Sequence, residues 1–171
     1  MRLGSGIAPV PAMLEAGMTV GLGVDGSASN DTGDLWGEAR NALLLHRVRG
    51  GAAAIDARTC LRMATRGGAD VLGHELAGRV EPGALADLIL ISLDRIGFAG
   101  AGHDPVAAIL FAGDSHIVDY NIVNGEVVVE NGRLTRAREG HIVRAANEAA
   151  AAMVDTAGRK TGIDFLRFPG A

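Results

Sequence analysis

In the stretch VGLGVDGSASND, Val20 to Asp31, an apolar run ends on a single carboxylate, Asp25, and small polar residues follow it. A carboxylate there can ligate a metal, take a proton from metal-bound water or anchor a polar ligand. Gly26, Ser27, Ala28 and Ser29 would let a flat ligand approach the backbone, and Ser27, Ser29 and Asn30 supply donors and acceptors to orient it. An equally physical use is structural, because Asp-Gly is a common turn pair and an Asp side chain readily accepts from nearby backbone N–H groups. The stretch alone leaves both readings open. One carboxylate is no metal site, since zinc takes three or four protein ligands. The histidines His46, His74, His103, His116 and His141 stand singly, without H-x-H or H-x-x-x-H spacing, so each is expected to be a surface or capping residue.

The elements that must position Asp25 can be read on either side of it. Met18 to Val24 is apolar throughout, as in a strand covered on both faces of a parallel sheet, and parallel sheets carry their chemistry at the carboxyl ends of their strands. Pro9 to Ala16 reads as a short helix ending at Gly17. Asp34 to Arg49 reads as a longer helix, with Leu35, Ala39, Ala42, Leu43 and His46 on one face and Gly50-Gly51 as the stop. Two short helices follow, at Asp56 to Ala64 and Gly67 to Leu72, the first capped by Asp56. From Gly78 the pattern turns to β, with a strand at Ala86 to Leu93 and a hairpin of Ile117 to Val123 and Glu126 to Glu130 around Asn124-Gly125. The short helix Asp104 to Ala112 interrupts it, and an Ala-rich helix near Glu139 to Ala157 follows.

Composition narrows the classes of function. The chain has 171 residues, 48% hydrophobic and 21% charged, which is enough to bury a core. A net charge of −4 without any basic run argues against nucleic acid as a partner. No apolar run approaches the roughly 18 residues of a membrane span. The single cysteine, Cys60, has no internal disulfide partner and reads as a small buried hydrophobe. A cytoplasmic location is the expectation. Asp87 and Asp104 read as a strand-edge carboxylate and a helix N-cap, and Trp36 as a packing residue.

Three stretches carry a resemblance. RLGSGIAPVPAMLEAGMTVGLGVDGSASND resembles the segment through the eighth barrel strand of the amidohydrolase superfamily. MATRGGADVLG with GRVEPGALADLILI is similar to the family's exit from the barrel into a small β domain. HDPVAAILFAG and VDYNIVNGEVVVENGRL resemble that domain's closing strands. The branch resembled holds the triazine hydrolases and the guanine and cytosine deaminases, with 8-oxoguanine deaminase the nearest of them.

The resemblance implies an α/β fold, the C-terminal part of a metal-dependent hydrolase TIM barrel plus a small, mostly β composite domain. On that frame residues 1–73 are the end of the barrel with its eighth strand, residues 74–135 a small β-sandwich-like domain, and residues 136–171 the closing helix and tail. It also implies that Asp25 is both catalytic and a metal ligand, and that Ser29 contacts a heterocyclic substrate, while Asn30 braces the loop. The metal in this branch is usually zinc and sometimes iron, and metal-bound hydroxide attacks a ring C–N bond.

The family's H-x-H after the first strand, its later histidines and its proton-shuttle glutamate have no counterpart here, and a complete barrel takes about 250 residues. The chain is therefore expected to be the C-terminal portion of such a hydrolase, partnered by the missing N-terminal part of the barrel and inactive alone. Exposed strand edges would leave it poorly soluble or drive homo-oligomers. The alternative is a non-catalytic binding or assembly module that keeps the family shape without the metal site.

Overall fold

The computed structural model describes residues 3–112 and 118–167, so the expectations at His116 and Ile117 lie outside the described residues. The chain forms two compact units, Met1–Gly132 and Arg133–Ala171.

The first unit is organised by helices α1 (Val10–Glu15), α2 (Leu35–Gly50), α3 (Ala57–Arg62), α4 (Gly68–Val71) and α5 (Pro105–Phe111). Three of them start where an aspartate side chain accepts a backbone N–H three residues on. Asp34 takes that of Gly37, Asp56 that of Thr59 and Asp104 that of Ala107. Each satisfies one of the N–H groups a helix start leaves without an internal partner. The two short helices expected over residues 56–72 are one continuous run, joined by a π turn, Met63–Gly67.

The core lies among α1, α2, α3 and α5. Ala39, Leu43 and Cys60 are fully enclosed, and Leu110 and Met63 nearly so, with Val20, Leu22 and Trp36 packed against them. The carbonyls at the end of α5 are satisfied from α2. Trp36 Nε1 donates to Ile109 O at 2.9 Å, and the Arg40 guanidinium donates to Leu110 O at 3.1 Å and Phe111 O at 2.8 Å. Trp36 is thus a packing residue with its polar atom matched. Leu35, expected on the buried face of α2, is 37% exposed.

Strands β1 (Leu88–Leu90), β2 (Tyr120–Val123) and β3 (Glu126–Glu130) form an antiparallel sheet in that order, with Leu88 opposite Ile122 and Tyr120 opposite Glu130. The β2–β3 turn is Asn124-Gly125, with φ of 51° and 79°, the positive pair that a two-residue type I′ hairpin needs. Asp87 is the strand-edge carboxylate anticipated, accepting the Asn124 N–H at 2.6 Å. β1 is shorter than the strand expected over Ala86 to Leu93, since pairing with the short β2 limits its length.

The segment Met18 to Val24 departs most from expectation. It is extended but is not a strand, because a strand needs a ladder partner and no described residue supplies one. Two of its backbone amides are tied to described residues outside it: Met18 N–H donates to Met13 O at 3.0 Å, and Leu22 N–H donates to Met63 O at 3.2 Å. No parallel pair of strands occurs among the described residues.

The second unit holds the two-residue strand β4 (Arg133–Leu134) and the long helix α6 (Glu139–Thr161), which ends on Gly162 at φ 71°. Leu134 N–H donates to Glu139 at 3.0 Å, and an Arg159–Asp155 pair at 2.6 Å spans one helical turn. No described helix in either unit is long and apolar enough to cross a membrane.

Candidate functional site

Asp25 stands where the extended segment ends, with φ at 63°, a conformation non-glycine residues rarely adopt. Asp tolerates it better than most because its short side chain can bond locally. Here Oδ1 accepts the Gly26 N–H at 2.8 Å and Oδ2 accepts the Ser29 hydroxyl at 2.7 Å. The Ser29 and Asn30 N–H groups both donate to Gly26 O at 2.9 Å, closing a turn. The Ser29 hydroxyl first, and then the Gly26 amide, hold the Asp25 carboxyl below the usual carboxylate range. At neutral pH it is an exposed, ionised carboxylate.

Asn30 braces the loop, as the sequence suggested. Its Nδ2 donates to Glu38 on α2 at 2.8 Å, while its Oδ1 accepts from the Thr32 amide at 3.3 Å and the Thr32 hydroxyl at 3.2 Å. Asp25, Ser29 and Asn30 edge an open cavity of about 410 Å³ between the extended segment and α2, floored by Leu22, Val24 and Ala42.

His46 lines the same cavity, and here the sequence reading needs correction. Expected at the surface or at a cap, His46 is only 5% exposed. Burial first, and the nearby Arg49 cation second, push its pKa below the usual histidine value, so it is a neutral imidazole at neutral pH. Its place on the apolar face of α2, beside Leu43, was the available signal. The other described histidines stay apart from this site. His74 and His141 are exposed, and His103 places Nδ1 3.2 Å from Gly100 O. Asp104 is a cap that also pairs with Arg58 at 3.0 Å. Cys60 is enclosed, and burial pushes its thiol up to about 11.

A divalent ion needs several donors converging on one point. Among the described residues no group of three His, Cys, Asp or Glu side chains could hold one, and both oxygens of Asp25 are engaged by its own loop. The donor set does not fit a resident metal.

The chain belongs to the amidohydrolase family, whose model matches residues 1–128. It is 43% identical over 156 residues to the 5-methylthioadenosine/S-adenosylhomocysteine deaminase of Pelotomaculum thermopropionicum, covering 91% of this chain and 36% of that protein. It is 41% identical over 154 residues to the 8-oxoguanine deaminase of Pseudomonas aeruginosa, covering 90% of this chain and 34% of that one. Among solved structures it is similar to an atrazine chlorohydrolase from Arthrobacter aurescens complexed with zinc, with a TM-score of 0.79, 43% identity, and coverage of 87% of this chain and 33% of that one. The chain thus spans about a third of the length of the relatives it matches.

Proposed function

We propose that this chain is the C-terminal portion of a metal-dependent aminohydrolase that cleaves a C–N bond on a purine, pyrimidine or triazine ring, with 8-oxoguanine or a guanine-like base as substrate. Residues 1–73 then form the end of the barrel, residues 74–135 a composite β domain and residues 136–171 its closing helix and tail. Asp25 carries the catalytic and metal-ligating roles, and Ser29, whose hydroxyl donates to Asp25 Oδ2, contacts the substrate. The metal, zinc in the Arthrobacter neighbour, supplies activated water in a complete site.

One observation carries this reading. The extended segment Met18 to Val24 delivers Asp25 to the rim of an open cavity while its own backbone lacks strand neighbours. Among the described residues the N–H groups of Thr19, Val20, Gly21, Gly23 and Val24 find no partner, although Val20, Gly21 and Val24 are half-buried. Such groups call for a ladder. Residues beyond this sequence would supply both the neighbouring strands and the remaining metal ligands, so the isolated chain is inactive.

The engagement of both Asp25 oxygens, with no ligand cluster among the described residues, favours a second reading, a non-catalytic module that kept the family shape. Calorimetry with zinc and an ammonia-release assay on 8-oxoguanine test the first. The isolated chain should bind zinc no tighter than roughly millimolar and release no ammonia. Sub-micromolar binding with ammonia release would refute the account of missing ligands. An in-frame H-x-H in the DNA 5′ of Met1 supports the hydrolase reading, and a stop codon with a promoter there supports the module.

A further inference from the structure

The proposed function gives no task to the Arg66-Gly67-Gly68 stretch inside MATRGGADVLG, yet among the described glycines Gly67 is the one whose added Cβ would meet the closest neighbour. Met63–Gly67 is a π turn, a wide helical turn that loosens the regular ladder of backbone bonds. Its first carbonyl, Met63 O, is the acceptor for Leu22 N–H. Beside that bond the two chains meet backbone to backbone. A Cβ on Gly67 would overlap the Val20 carbonyl oxygen, and one on Gly21 would lie 2.8 Å from Gly68 Cα. On its other flank, Gly78 at φ 73° would place a Cβ 2.8 Å from Arg66 Cα. Gly23, by contrast, has nothing within 4 Å of where its Cβ would be. Within VGLGV, close contact therefore demands Gly21 and leaves Gly23 free.

We propose that the π turn, with Gly21, Gly67 and Gly68 in backbone contact, is the seat that sets the position of Met18 to Val24 and thereby of Asp25. Gly21 and Gly67 are then positioning residues for that carboxylate, a role whose chemical meaning rests on the hydrolase reading. The segment has no described strand neighbour; besides the seat it is held by the Met18 N–H bond to Met13 O and by Val20 and Leu22 packing on the core, and Asp25 lies three residues beyond Leu22, roughly 10 Å along an extended chain. A methyl group at Gly67 must push the segment outward and so stretch the 3.2 Å Leu22–Met63 bond. The Asp25–Ser29 turn is closed by its own hydrogen bonds, so it moves as a unit without opening.

NMR of the whole chain tests this. In the unsubstituted protein, Gly21 and Gly68 Hα protons should show a mutual Overhauser contact, and the Leu22 amide should exchange more slowly than those of Val20 and Gly23. Gly67→Ala should speed Leu22 exchange by about tenfold or more while the amides of Leu43 and Ala108 in the helical core keep their protection. Gly23→Ala should leave Leu22 protected. Unchanged Leu22 exchange in Gly67→Ala would overturn the proposal, as would absence of the Gly21–Gly68 contact in the unsubstituted protein. If Gly67→Ala unfolds the core, Gly21→Ala with its milder overlap takes its place under the same criteria. None of these measurements uses metal or turnover, so their failure leaves the hydrolase reading standing, and the failure of that reading leaves the seat standing.

Discussion

Leu43 is the residue on which the core around the site should depend most. It is fully enclosed on α2, between the turn that anchors the Asp25 loop through Glu38 and the stretch that bears His46. Leu43→Ala removes three carbons from a space that the surrounding helices can only partly refill. Leu→Ala changes at such sites cost about 3 kcal/mol through lost transfer free energy and residual cavity. For a unit of this size that corresponds to a fall in Tm of roughly 10 °C. The assay is urea and thermal unfolding followed by fluorescence of Trp36, the chain's one tryptophan, whose indole packs on the same core and donates to Ile109 O. Val48→Ala, at a position 89% exposed on the same helix, should stay within about 0.5 kcal/mol of the unsubstituted chain. A Leu43→Ala cost below about 1 kcal/mol would refute the reasoning, because it would mean that the α2 face does not hold the unit together.

Three further outcomes follow from the same structure. His46 has a folded pKa below its unfolded one, so the stability it protects is present above the unfolded value, about 6.5, and falls as pH drops from there toward the folded pKa. Urea midpoints should decline over that window in the unsubstituted chain and decline less in His46→Leu, and parallel declines would contradict the buried neutral imidazole. At pH 8 a thiol titrating at about 11 has roughly a hundredth of the thiolate of an ordinary cysteine, so Cys60 should react with a disulfide reagent at least about a hundredfold more slowly folded than in denaturant. Equal rates would mean that Cys60 is open to solvent. The backbone of Met18 to Val24, which has no strand neighbour among the described residues, should make the isolated chain self-associate, and a clean monomer across concentrations in analytical ultracentrifugation would count against it.

What could be read from the residues alone was mostly what is settled within a few positions. The caps at Asp56 and Asp104, the stop at Gly51 and the Asn124-Gly125 hairpin each depend on a side chain or a φ value and its near neighbours, so local sequence determines them. The apolar run before Asp25 likewise marked the segment that reaches the cavity rim, and Asn30 was legible as a brace because its amide has a loop to close.

Tertiary structure decided the rest. Whether Met18 to Val24 is a strand depends on partners distant in sequence, and with none among the described residues the same residues lie extended without a ladder. Whether His46 faces water depends on how α2 packs against α3 and α5; its place on the apolar face of α2 pointed inward, but only the packed helices make it buried. That Gly21 is demanded and Gly23 is free appears only when the π turn from residues 63–67 is laid against them. A turn or a cap is decided by bonds within one short stretch of chain, whereas burial and pairing are decided by which stretches meet.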